Sequence, residues 1–137
     1  MKQESKQLVL KDLCARLPYK VKVTTTNAAV KFGVISGISI ENKISVRTKH
    51  ADIVFDCAEV KPYLFPLSSM TEEQKREYED TLVYHDYTKG GWAIAKTFND
   101  EYVIPYWFVD FCNKNHLDYR GLIPKGLAID CTNLSIY

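Results

Sequence analysis

Long apolar runs are missing. No stretch of these 137 residues approaches the ~20 consecutive apolar residues that a bilayer-spanning helix needs, so no membrane segment is expected. The segment from Met1 to Lys6 lacks an apolar core followed by a small-residue cleavage site, so no secretory leader is expected. Cysteine is thin: Cys14, Cys57, Cys112 and Cys131 stand far apart with no C-x-x-C pair. His50, His85 and His116 keep no zinc-ligand spacing to them, so no metal and no cofactor is expected. Isolated thiols of this kind suit a reducing cytoplasm. The nucleophile elbow G-x-S-x-G and the glycine-rich phosphate loops are also missing, which removes the commonest enzyme signatures. There is no internal repeat and no low-complexity segment.

What is present is an uneven charge distribution. Residues 1–68 carry 11 Lys+Arg against 6 Asp+Glu, and residues 69–137 carry 7 against 11. A basic half attracts polyanions, and an acidic half meets a basic partner or the basic half itself. The junction at Pro66-Leu67-Ser68-Ser69-Met70-Thr71 divides the chain into units 1–68 and 69–137, either separate or sharing one core.

In the first unit, Val9, Leu10, Leu13, Cys14 and Leu17 recur at three- and four-residue steps, which predicts a helix over 5–17 with Ser5 as N-cap and Pro18 as its end. The period then changes to two. Val21 and Val23 alternate with lysines; Val30, Phe32, Val34, Ile38 and Ile40 share one parity; Ile44, Val46, Ile53 and Phe55 follow. This predicts strands with one buried face, joined by turns at Glu41-Asn42-Lys43 and Lys49-His50-Ala51-Asp52. Gly33 and Gly37 fall on the opposite parity, where they would let the longest strand bend. The expected class is α+β: an N-terminal helix plus an SH3-like small antiparallel β-barrel, then a mostly helical C-terminal unit. Lys61 to Pro66, with two prolines, is expected as an extended cover rather than an inner strand.

In the second unit, Thr71-Glu72-Glu73-Gln74 matches a capping box, which starts a helix with Tyr78, Leu82 and Val83 inward. Residues 84–106 are the least legible: Trp92, Ile94 and Phe98 suggest a strand, with Asn99-Asp100-Glu101 turning into Tyr102-Val103. Pro105 fits the first turn of a further helix whose core face is Trp107, Phe108, Phe111 and Cys112, with Asn115 as its left-handed stop.

Three blocks read together: residues 11–23 (KDLCARLPYKVKV), 60–71 (VKPYLFPLSSMT) and 113–128 (NKNHLDYRGLIPKGLA). With them the chain resembles a group of small uncharacterised proteins of gut-bacterial genomes and their phages or mobile elements. The resemblance covers roughly a third of the chain. It implies a cytoplasmic bacterial setting and a mobile-element origin, and no site residue.

Three constellations compete for function. Lys20, Lys22, Lys31, Lys43, Arg47 and Lys49 fall mostly on the outward parity and could follow a phosphate backbone, although a solvated outer sheet face looks the same. Aromatic interleaving there is thin, Tyr19 alone. His85-Asp86 beside Gly90-Gly91 could do acid–base work, but no nucleophile accompanies them and they read as a helix-end histidine with a solvated aspartate. Tyr119 and Arg120 are residue types that dominate binding hot spots, while Asp118 either joins them, pairs with Arg120 or caps a turn. The expectation is a non-enzymatic accessory protein that binds an unidentified protein partner through Asp118, Tyr119 and Arg120, with a nucleic-acid-binding basic face as the alternative.

Overall fold

The computed structural model describes residues 2–26, 29–74, 76, 95–96, 102–103 and 106–137. Helix α1 (Gln3–Arg16) comes first. It starts two residues before the expected Ser5 cap, with extended Lys2 in the cap position and no side-chain cap bond. Its buried residues are Val9, Asp12, Leu13 and Arg16, an i, i+3, i+4, i+7 stripe that shares only Val9 and Leu13 with the expected one and is turned toward two charged residues. Cys14, expected inside, is exposed. Pro18 ends the helix in a 3₁₀ turn, Leu17–Tyr19, and Lys20 turns the chain away in a left-handed conformation at φ 56°.

A mostly antiparallel sheet follows: β1 (Lys22–Thr25), β2 (Gly33–Ile38), β3 (Lys43–Arg47), β4 (Asp52–Asp56) and β5 (Val60–Pro66). The first four strands form a meander, and β5 returns to pair antiparallel with β1, giving the order β4-β3-β2-β1-β5. Both expected hairpin turns form. Asn42 takes φ 62° in the first, and Thr48 N–H donates to the Ala51 carbonyl across the second. A 3₁₀ turn, Cys57–Glu59, links β4 to β5 and is capped by Asp56, whose Oδ1 accepts from Ala58 N–H at 3.0 Å.

Two strand expectations are corrected. In β2 the buried residues are Gly33 and Ile35, while Phe32 is 47% exposed and Val34 is half-buried. The reason is close packing: a Cβ on Gly33 would lie 2.3 Å from Val46 Cγ1 and 2.9 Å from Val30 Cγ1, so only glycine lets β2 settle on the core. A register shift between Ile35 and Gly37 then changes the parity, and Ile38 packs against the core. In β5 the two prolines do not prevent an inner strand. Pro62 closes the β1 ladder, opposite Val23, and Pro66 is the last residue of the strand, so each stands where a ladder ends.

After β5, Thr71 and Gln74 form the expected capping box: Gln74 N–H donates to Thr71 Oγ1 at 3.1 Å and Thr71 N–H to Gln74 Oε1 at 3.0 Å. The pair β6 (Ala95–Lys96) and β7 (Tyr102–Val103) makes a two-stranded antiparallel sheet. Helix α2 (Tyr106–Lys114) buries Phe108, Phe111 and Cys112. Its left-handed stop is His116 at φ 58°, not Asn115, whose side chain instead donates to the Phe111 carbonyl at 2.9 Å. Tyr78, Leu82, Val83, Trp92, Ile94, Phe98, Pro105 and the Trp107 side chain lie outside the described residues.

The chain then re-enters the main sheet. β8 (Leu117–Asp118) and β9 (Ile129–Asp130) both run parallel to β5. Phe65 N–H donates to the His116 carbonyl and the Leu64 carbonyl accepts from Cys131 N–H. These two groups belong to one trans peptide unit and point opposite ways, so β8 and β9 flank opposite edges of β5. The C-terminal segment thus crosses the expected 68/69 boundary. The main core joins α1 and the strands to Leu122, Leu127 and Ala128, and a second cluster gathers Met70, Phe108, Phe111, Cys112 and Leu117. Among the described residues no helix is long and apolar enough to cross a membrane.

Candidate functional site

The expected docking residues Asp118, Tyr119 and Arg120 are brought together, but facing inward. Asp118 accepts from Leu122 N–H at 2.8 Å and Ile123 N–H at 2.9 Å, starting a single turn. That turn closes with Leu127 N–H on the Leu122 carbonyl and Gly126 N–H on the Ile123 carbonyl, with Gly126 at φ 72°. This is a Schellman closure, and it explains the Gly-Leu-Ile-Pro-Lys-Gly wording. Asp118 is the turn cap of the alternatives the sequence left open.

Arg120 and Tyr119 join a buried arginine network. Arg16 is wholly buried. Its Nε donates to Asp12 Oδ2 at 2.8 Å, Nη1 to the Cys112 carbonyl at 3.3 Å and Nη2 to the Leu117 carbonyl at 2.6 Å. Arg120 Nε lies 3.3 Å from the other Asp12 oxygen. Both guanidiniums approach the Tyr119 ring, at 5.3 Å for Arg16 and 4.9 Å for Arg120. The Tyr119 hydroxyl lies near the Asn113 side chain without a well-aligned hydrogen bond to it. Burial pushes the Asp12 carboxyl up, and the two guanidiniums pull it back. Asp12 and Arg16 come from the first resemblance block, Asn113 to Arg120 from the third, and β5 from the second, so the network lies where all three blocks meet. Sequence reading missed Asp12 and Arg16; the signal was their i, i+4 spacing on the inner face of α1.

Beside the network, His116 stacks on Tyr137 with ring centroids 3.8 Å apart. Burial, then the Arg16 and Lys22 charges, push His116 down to about 4. The Tyr137 hydroxyl accepts from Lys22 N–H at 2.7 Å and donates to the Tyr63 carbonyl at 3.0 Å. Lys22 and Tyr63 would be the next pair of the β1–β5 ladder, so the hydroxyl continues it across a widened gap. Lys22 Nζ donates to the Ile136 carbonyl, which removes one of the six expected nucleic-acid-binding cations from the surface set.

The other five cations split. Lys43 pairs with Asp56 and Arg47 with Asp52, each at 3.2 Å and directly across the β3–β4 ladder. Lys31 is exposed, with Nζ 5.5 Å from the Phe32 ring centroid. Lys20, Arg47 and Lys49 converge on an open cleft of about 610 Å³ between the Leu17–Tyr19 turn and the β2–β3 face, with Phe32, Val34 and Thr48 also lining it. Among the described residues its lining holds no Asp or Glu. Lys20 reaches it because of its left-handed backbone, which disfavours residues with a Cβ by about 1–2 kcal/mol. Phe32 reaches it because Gly33 is drawn inward. Sequence reading assigned Phe32 to the core, and the corrected parity makes it the exposed aromatic that the basic set lacked.

His85 and Asp86 lie outside the described residues. Three of the four thiols are buried, and burial pushes them up, Cys112 to about 12 and Cys131 to about 11. Among the described residues no group of three or more His, Cys, Asp or Glu is placed to hold a metal ion. The chain matches no protein-family model, no curated protein and no solved structure.

Proposed function

We propose that the protein is a non-enzymatic binding protein and that its working surface is the basic cleft, which takes a nucleic-acid backbone. The carrying observation is the convergence of Lys20, Arg47 and Lys49 on one open concavity whose described lining has no carboxylate. An ordinary solvated sheet face accounts for Lys43 and Arg47 opposite their aspartates, but not for a lysine held left-handed at the mouth of a cleft. Two features support a binding rather than a catalytic role. The buried thiols are held away from the reactive thiolate form, and His116 is stacked and kept neutral. A meander of four strands whose fifth returns to the first, with a sharp bend at the Ile35–Gly37 shift, supports an SH3-like curl as the scaffold. The three sequence blocks support a cytoplasmic accessory role in a phage or mobile element.

The test is fluorescence anisotropy with a labelled mixed-sequence oligonucleotide over a salt series. Three phosphate contacts predict a slope of log K against log salt of about −2 to −3, reduced by about 1.5–2 in Lys20→Ala/Lys49→Ala. Absence of binding to either single strands or duplex at low salt overturns this reading.

A second reading, binding to protein, is favoured by β4. It pairs with β3 alone among the described strands and exposes Ile53 at 42% and Val54 at 63%. A partner strand could add to that edge. Loss of capture by β4 variants, with the cleft intact, would favour it.

A further inference from the structure

Resting on the nucleic-acid reading above, we propose that the cleft is built for single strands, with one base stacked on the Phe32 ring. Phosphate attraction alone requires cations and no aromatic, yet this cleft presents Phe32 at 47% exposure beside Lys20, Arg47 and Lys49. The ring is not a stray exposed side chain. Gly33 must face the core, since any Cβ there would collide with Val46 and Val30, and the alternation of the strand then turns Phe32 outward. Tyr63 braces it, with ring centroids 5.3 Å apart and planes inclined by 33°. Tyr63 is itself fixed, its hydroxyl donating to the Lys31 carbonyl at 2.8 Å. A held ring gives up little freedom when a base docks on it.

The neighbouring charges suit a strand passing over that ring. Lys31 Nζ lies 5.5 Å from the ring centroid, and Lys20, Arg47 and Lys49 line the same cleft as the ring. Arg47 is held by Asp52 only in an exposed pair, with the two side chains 67% and 44% accessible, and such a pair yields readily to a phosphate. The cleft volume of about 610 Å³ falls within the ~300–1,000 Å³ usual for ligand clefts. Phenylalanine offers a π-face and no hydrogen-bonding group, so it favours any unpaired base over a paired one and reads no sequence. In a duplex the bases are stacked on each other and out of its reach.

The test compares a labelled single strand, the same strand annealed to its complement, and a polyglutamate peptide of similar charge. Each is titrated by anisotropy against wild type, Phe32→Leu and Phe32→Trp. Wild type is expected to prefer the single strand. Phe32→Leu is expected to weaken single-strand binding by roughly five- to hundredfold, as for one lost base stack, with duplex binding little changed. Phe32→Trp is expected to retain affinity, with the new indole quenched as the strand binds. If Phe32→Leu does not fold, the Phe32→Trp titration decides alone, and an unquenched indole overturns the inference. Equal binding of strand and duplex with no effect at Phe32 overturns stacking while leaving the polyanion reading intact. Polyglutamate bound as tightly as the single strand overturns the inference in favour of an acidic protein ligand. Absence of binding to any of the nucleic acids at low salt removes the underlying reading as well.

Discussion

Two regions of this protein use the same residue types to opposite ends. The network at Arg16 and the cleft at Arg47 each combine a guanidinium with an aromatic ring, and in each the arginine has a carboxylate partner, Asp12 within the network and Asp52 from outside the cleft lining. At Arg16 water is excluded, Asp12 sits between two arginines, and two main-chain carbonyls accept from Arg16 Nη1 and Nη2. At Arg47 the ion pair is open to solvent, and three cations with no Asp or Glu among the described residues line the hollow. The first region binds α1 to α2 and β8. The second is left with charge and ring surface to offer a ligand. On the reading proposed above, charged and aromatic residues would mark a binding site only where they remain unsatisfied and wet, whatever their prominence in the sequence.

The largest expected effect tests the buried side of this contrast. Arg16→Met leaves Asp12 buried with a single guanidinium, and urea unfolding should show a loss of about 3–5 kcal/mol. Adding Asp12→Leu should recover part of that loss, because the uncompensated charge goes with it. Under conditions where the variant remains folded, its oligonucleotide affinity should match wild type. A matching loss of affinity would mean that the two regions are one site.

A smaller effect comes from His116. Its folded-state value is depressed from 6.5 to about 4, so the unfolded chain takes up a proton first as the pH falls. The stability it contributes is complete above pH ~6.5 and is lost as the pH drops through ~4, by at most about 3 kcal/mol and less for the part of the ring touching solvent. His116→Asn keeps a residue tolerant of φ 58° and removes the titration. Its stability curve from pH 7 to 4 should fall less steeply than wild type. Parallel curves would mean that His116 is not held neutral.

The smallest stability effect sharpens the exposed side. Asp52→Asn breaks a pair open to water, so unfolding should change by no more than about 1 kcal/mol. Oligonucleotide affinity should rise, since Arg47 is then free to face the cleft. An unchanged affinity would remove Arg47 from the binding surface.

How much could be read beforehand follows from where local rules govern. The existence of helix α1, the two hairpin turns and the Thr71–Gln74 capping box were legible because each depends on residues within a few positions. The burial of Arg16 was not, because its partners at residues 112, 117 and 120 come from distant sequence and a charged residue is ordinarily assigned to the surface. The inward face of β2 was misread because Gly33 carries no apolar signal, although its missing side chain decides the packing against Val46. Asp118 looked like a hot-spot neighbour because its role depends on the amides of Leu122 and Ile123 folding back onto it. β8 and β9, two residues each, are too short to show any period.

The position of β5 between β8 and β9 governs the order in which the molecule can assemble. The meander and its return to β1 involve residues 22–66, and the flanking parallel strands are supplied only by residues 117–118 and 129–130. Among the described strands, the second half of β5 therefore gains its lateral partners only after more than 50 further residues have been made, because β8 starts at Leu117 and β5 ends at Pro66. Such distant closures are the slow ones in folding, and an unpaired apolar strand is where chains associate wrongly. The late arrival of two short strands thus makes the synthesis of residues 117–130 the step that seals the sheet.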